Sequence, residues 1–191
     1  VSLDSADQLA GYQWLAIAAL HAGNHERGRA FLAAPVNISD INDLTTWVDN
    51  ITWITHQGGI VAQREQRIGQ LVVQSKPLTN LDANRLTTII CNAVAKEGQG
   101  LLDWNDDVRT LQLRVALVAK WHPELSLPDL TTSHLLSQPE TWLPFWLNRN
   151  GHIIITAAEL HKIDLTQVLW NILTYDQQQT IDRLAPMRIG V

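Results

Sequence analysis

Five basic residues in the first 80 positions, with two of the tryptophans there, carry the chemistry most open to a ligand. Arg64, Arg67 and Lys76 lie on or beside one predicted strand, and Arg27 and Arg29 open another. Cationic side chains along strands suit a phosphate backbone, and indoles suit stacking on bases. Trp47 and Trp53 are the tryptophans placed to stack. The same residues admit a plainer reading, with the indoles in a core and the arginines on a solvated strand face. Glu65 interrupts the basic run. The net charge of −5 argues against a dedicated, strongly basic nucleic-acid binder, so any nucleic-acid contact must come from a local patch.

Other chemistries find less support. His21 and His25 are four apart, but Gly23-Asn24 between them signals a turn, and no H-E-x-x-H or cysteine-rich partner accompanies them. His152 and His161 lack ligand spacing too, so no metal site is expected. Cys91 is the single cysteine and falls on an apolar helix face, which predicts a buried, unreactive thiol and a reducing, cytoplasmic setting. No G-x-S-x-G elbow orders a catalytic triad, and Asp103, Asp106 and Asp107 read as helix-start residues. Neither a G-x-x-x-x-G-K-[ST] loop nor a D-E-x-[HD] sequence occurs, so these residues hold no expected site for ATP or Mg²⁺ and no expected catalytic activity. No apolar stretch reaches the roughly 20 residues a membrane helix needs.

The elements that must position these residues change character near residue 80. Before it, short runs rich in Ile, Val, Thr and Trp predict antiparallel strands. Residues 14–21 and 28–34 flank the turn-like Gly23-Asn24-His25. Ser39 or Asp40 is expected to cap a short helix reaching about Thr45. Residues 47–56 form a third candidate strand, and Gln57-Gly58-Gly59 a turn. Residues 60–74 read as one long strand with a bulge or bend at Gly69. After Pro77 the pattern becomes helical. A helix from Leu81-Asp82 is expected to end at Gly98 and Gly100. The next starts at Asn105 or Asp106, with an apolar face of Val108, Leu111, Leu113, Val115, Leu117 and Val118, and stops at Pro123. Prolines 128, 139 and 144 cut the following stretch into short pieces. Asp164 is expected to cap residues 165–173, and Asp176 to cap 177–184. Trp104, Trp121, Trp142, Trp146 and Trp170 read as large apolar staples between these helices. A groove for a peptide around Trp142 and Trp146 is the other reading. The expectation is therefore an α+β chain: an antiparallel β unit over 1–80 and an all-α unit over 81–191.

The order of these segments resembles the C-terminal region of HrpB-type bacterial helicases, which are related to the DEAH-box RNA helicases. The resemblance rests on Leu102-Asp103-Trp104 before a Leu/Arg-rich helix, then Trp142-Leu143-Pro144-Phe145-Trp146-Leu147. Residues 164–173 follow, with Asp164 and Leu165 leading, and Ile181-Asp182-Arg183-Leu184-Ala185-Pro186 ends the series. Upstream, residues 12–18, 29–36, 67–73 and 76–78 resemble strands of the family's β unit. The resemblance implies that 1–80 form most of an OB-like barrel, incomplete here, and that the chain is a fragment of an ATP-dependent helicase, a hydrolase. ATP and Mg²⁺ would belong to motor domains of the same parent chain. The implied role is accessory: contact with single-stranded RNA and bracing of the motor. The competing reading is a helical module that docks a protein partner, with a purely structural β unit.

Overall fold

The computed structural model describes residues 6–22, 28–149 and 152–186. Five strands come first: β1 (Leu15–Ala22), β2 (Gly28–Pro35), β3 (Thr46–Ile54), β4 (Gly59–Ile68) and β5 (Leu71–Pro77). Seven helices follow: α1 (Ala83–Leu101), α2 (Asp106–Trp121), α3 (Thr132–Ser137), α4 (Pro144–Leu147), α5 (Ala157–His161), α6 (Leu165–Trp170) and α7 (Tyr175–Leu184). Two-residue strands β6 (Asn148–Arg149) and β7 (His152–Ile153) interrupt them. This is the expected α+β order, with antiparallel strands first and no long strand among the described residues of the helical part. Strands β1 and β2 form one sheet, and β3-β4-β5 another. The residues segregate into two compact units, 1–49 with 63–77 and 50–62 with 78–191, so the boundary runs through β3 and β4.

In the first unit, β1 pairs with β2 from Leu15↔Pro35 to Ala22↔Gly28, with irregular register between Ile17 and Leu20. The turn Gly23-Asn24-His25 lies outside the described residues. A 3₁₀ turn, Ile38–Leu44, replaces the expected capped helix. Its N-cap is Asn37, whose side chain makes no cap bond, so neither Ser39 nor Asp40 caps it. The single strand expected over 60–74 is two. Gly69 adopts φ +57° between Ile68 and Leu71, which are paired, so it opens a two-residue hairpin turn that L-residues resist. The bulge lies elsewhere, between Gln66 and Arg67: Gln66 faces Gln74 but Arg67 faces Val72, and Val73 is left over.

The second unit begins at the tips of β3 and β4. Thr55–Gln57 is a 3₁₀ turn closed by Gly58 in the left-handed region. Gly59 bridges Thr156, while Ile60 N donates to Ile155 O and Ala157 N to Gly58 O, both at 2.9 Å. A Cβ on Gly59 would run into the Ile155 carbonyl, so the close approach requires glycine. Asp82, Asn105 and Asp164 cap α1, α2 and α6 as their sequence positions suggest, each accepting from a backbone N–H three residues on. Helix α7 starts earlier than expected. Thr174, not Asp176, caps it in a reciprocal box with Gln177, leaving Asp176 in the first turn. Helix α1 does not stop at its glycines: it runs to Leu101, and a Cβ on Gly98 would run into Leu136. That glycine therefore serves the close packing of α3, not termination. Helix α6 ends at Trp170, short of the expected Leu173.

The core of this unit is apolar and continuous. Ile90, Val94, Val108, Leu143, Leu147, Leu160, Val168, Leu169 and Ile181 have no accessible surface. Arg114 fastens α2 to the end of the chain: its Nε donates to Ala185 O at 2.6 Å, it pairs with Asp182, and its guanidinium lies 5.8 Å from the Trp170 ring centre. The α2 face is narrower than its sequence suggests. Val108, Leu111, Val115 and Val118 are buried, but Leu113 and Leu117 are exposed, because i, i+3, i+4 spacing from Val108 turns them away. Trp121, expected as a staple, is 71% exposed, whereas Trp142 and Trp146 are buried.

Candidate nucleic-acid interface

Three of the seven candidate residues meet on one strand face of the first unit. Arg64 on β4 faces Lys76 on β5 in register. Lys76 Nζ sits 4.9 Å from the centre of the Trp47 ring, which is on β3 and 41% exposed. Asp49 is two residues from Trp47 on the same strand, hence on the same face. Its Oδ1 lies 3.5 Å from Arg64 Nε, with both side chains more than two-fifths exposed. Such an exposed pair contributes little to stability and leaves the guanidinium open to exchange partners. An exposed ring bearing a cation on its face offers both elements of a single-strand contact: a stacking surface and a phosphate counter-charge.

Of the other candidates, Arg67 and Trp53 do not join this group. Arg67 is three residues from Arg64, and strand parity alone puts the two on opposite faces. Its Nε donates to Glu65 Oε2 at 2.7 Å, and Glu65 is buried, so this arginine compensates a buried carboxylate. Trp53 belongs to the second unit, half-buried against its apolar core, with Nε1 donating to Thr55 Oγ1 at 3.2 Å. The Thr55 hydroxyl in turn donates to Glu97. Arg27 lies outside the described residues, as does the side chain of Arg29, whose backbone pairs with His21.

Beside Trp47 lies a feature that sequence reading missed, a polar cleft of about 480 Å³. Asn42, Thr45, Trp47, Gln66 and Gln74 line it, with Ile38 and Ser39. Gln66 is 5% exposed, and its Nε2 donates to Asn42 Oδ1 at 3.0 Å and Thr45 Oγ1 at 2.8 Å. No local pattern announces this set, because a 3₁₀ turn and three strands contribute to it.

The second unit has its own groove, of about 820 Å³, with Trp142, Trp146 and an exposed Phe145 among its lining residues. Phe145 meets Trp146 edge to face at 5.5 Å. Cys91 is buried, and burial, then the Glu140 charge, pushes its thiol up to about 11, well away from nucleophilic chemistry. The sequence has no phosphate loop, and no cluster of three or more His, Cys, Asp or Glu is placed to hold a cation among the described residues. Nor is any helix there long and apolar enough to cross a membrane.

Comparison with known proteins bears on this geometry. A family model for the connector region of ATP-dependent RNA helicase HrpB matches residues 44–78, which hold Trp47, Arg64, Gln66, Gln74 and Lys76. ATP-dependent RNA helicase HrpB of Escherichia coli K12 is 30% identical over 194 residues, covering 99% of this chain and 24% of that protein. The crystal structure of the E. coli DExH-box NTPase HrpB is similar with a TM-score of 0.56 at 29% identity, over 99% of this chain and 24% of that one. A crystal structure of the E. coli DEAH/RHA helicase HrpB matches with the same TM-score at 28% identity, over 98% and 24%. The chain thus spans about a quarter of the length of the relatives it matches. Motif order, the family model and overall fold agree: over nearly its whole length the chain is similar to a C-terminal region of HrpB-type helicases, one that includes their connector.

Proposed function

We propose that the chain acts as an accessory, non-motor region of an ATP-dependent RNA helicase. Its β unit, which we read as OB-like, contacts single-stranded RNA, and its helical unit braces the helicase core. In this reading ATP, Mg²⁺ and bond cleavage belong to the motor domains of such a helicase in the cytoplasm, and the residues described above adjust RNA affinity and coupling. The observation that carries the proposal is Lys76 over the ring of the partly exposed Trp47, with Arg64 directly opposite Lys76. A phosphate between the two cations and a base on the indole would use all three side chains. Asp49 competes for Arg64 and keeps the site weak, which suits a strand that must slide.

The test is titration of the 191-residue chain with a labelled single-stranded RNA across a salt series. Each phosphate contact should add about 0.7 to the slope of log affinity against log salt. Arg64→Glu with Lys76→Glu should weaken binding and flatten the slope by about 1.4. Trp47→Ala should weaken binding with the slope unchanged, by about 1–3 kcal/mol for one stacked base. Wild-type affinity and slope in the double-glutamate variant would refute the RNA contact. The runner-up reading, a protein-docking module, draws on Phe145, 75% exposed at the rim of the large groove. It predicts no salt-dependent RNA binding at all.

A further inference from the structure

We infer that the cleft beside Trp47 is a base-reading subsite that selects adenine in the bound strand; the inference rests on the RNA contact proposed above. The cleft has the size and the chemistry for one nucleobase. Its volume is about 480 Å³, and its polar lining consists of the amides Asn42, Gln66 and Gln74 with the hydroxyls Ser39 and Thr45. Among the described residues no carboxylate or cation lines it, so its own groups suit a neutral polar ring, while the charges for phosphate lie alongside at Arg64 and Lys76.

The amides are not equivalent. Gln66 is nine-tenths buried, and both protons of its Nε2 go to Asn42 and Thr45. That linkage fixes the cleft floor and holds the Asn42 carboxamide in one orientation, since its oxygen is already accepting. Gln74 faces Gln66 across the β4–β5 ladder, is exposed, and lies on the same strand face as Lys76, two residues away. A carboxamide presents a donor and an acceptor side by side, the pattern that pairs two-pronged with the amino group and ring nitrogen of adenine. A base stacked on Trp47 would bring its edge toward Gln74 and Asn42, while its phosphate stays with Lys76. Gln74 is thus the specificity residue, and Gln66 the residue that positions Asn42.

The experiment measures the whole chain against a ten-nucleotide run of U and the same run with a single central A, C or G. The single A should bind about tenfold more tightly than U alone, the value of one bidentate amide–adenine pair. Gln74→Ala should bring the two within about twofold while leaving the salt slope unchanged, because no phosphate contact is lost. Asn42→Ala, at an exposed position, serves as the second variant should β5 tolerate the first poorly, and it should reduce the preference too. Equal affinity for all four oligonucleotides with a steep salt slope would overturn the base-reading subsite and leave the RNA contact standing. An adenine preference untouched by both variants would overturn the assignment of these amides. Absence of binding to every oligonucleotide would remove both inferences together.

Discussion

The two units are held together by different physics. In the first, Val73, Glu65 and Gln66 are the residues that reach full burial among those described, and two of the three are polar. Its cohesion comes from ladder hydrogen bonds and from side-chain links such as Gln66 to Asn42 and Thr45. Trp14 carries a cost there, since its Nε1 is buried without a hydrogen-bond partner. In the second unit a single apolar cluster runs from Ile90 to Ala185. Large apolar burial supplies most folding free energy, while a hydrogen bond nets only about 1 kcal/mol. The lesson is a division of tasks: the well-packed unit supplies stability, and the polar unit keeps its side chains available for a ligand.

The largest blow should come from the apolar side. Trp142 is 7% exposed, with Nε1 donating to Leu135 O at 3.0 Å. Trp142→Ala should lower stability of the helical unit by about 3–5 kcal/mol, read from the urea midpoint. An unchanged midpoint would mean the core does not carry the unit. Next, Gly59→Ala should cost about 3 kcal/mol, because Gly59 has φ +153° and its Cβ would strike the Ile155 carbonyl. Amide exchange at Ile60 and Ala157, whose N–H groups are bonded across this junction, should rise in that variant.

A smaller effect tests the polar unit. Gln66→Ala should destabilise it by about 1–2 kcal/mol, the cost of removing a buried amide and leaving its partners unmet. Protection of the β4–β5 amides should fall while that of α1 holds; a larger loss would show that the polar link is the centre of the unit. The smallest expected effect is electrostatic. The Glu159 carboxyl is held down from its ordinary 4.5 to about 2, first by the Thr156 hydroxyl, then by the His152 ring and the backbone N–H groups of Ile155 and Thr156. A carboxylate depressed by folding adds stability that is complete above its ordinary value and disappears as pH falls through the folded one. Wild type should therefore lose stability between pH 4.5 and about 2, and Glu159→Gln should lose less across that window. Parallel acid profiles would deny Glu159 this role.

Much of the fold can be read along the chain, because secondary structure is a local matter. The change from period 2 to period 3.6 near Pro77 separates strands from helices, and Asp82, Asn105 and Asp164 mark helix starts through bonds that reach only three residues. The buried state of Cys91 follows from its place on an apolar stripe, and the HrpB-type resemblance from motif order. The odd spacing of Arg64 and Arg67 along one strand is enough to separate them onto opposite faces.

Contacts between distant segments were decided only by the tertiary structure. Gly69 and Gly98 look alike as helix or strand breakers. One opens a hairpin turn, and the other admits Leu136 against α1, a distinction that depends on a partner 38 positions away. Leu113, Leu117 and Trp121 have core chemistry but face outward, because the direction from which α6 and α7 approach α2 chose its buried stripe. The candidate site is of the same kind. Trp47, Arg64 and Lys76 converge because the turn at Gly69 and the bulge after Gln66 set which residues of β4 and β5 stand opposite. A one-residue shift in that register would send one strand's side chains to the other face, so the composition supplied the groups and the register assembled them.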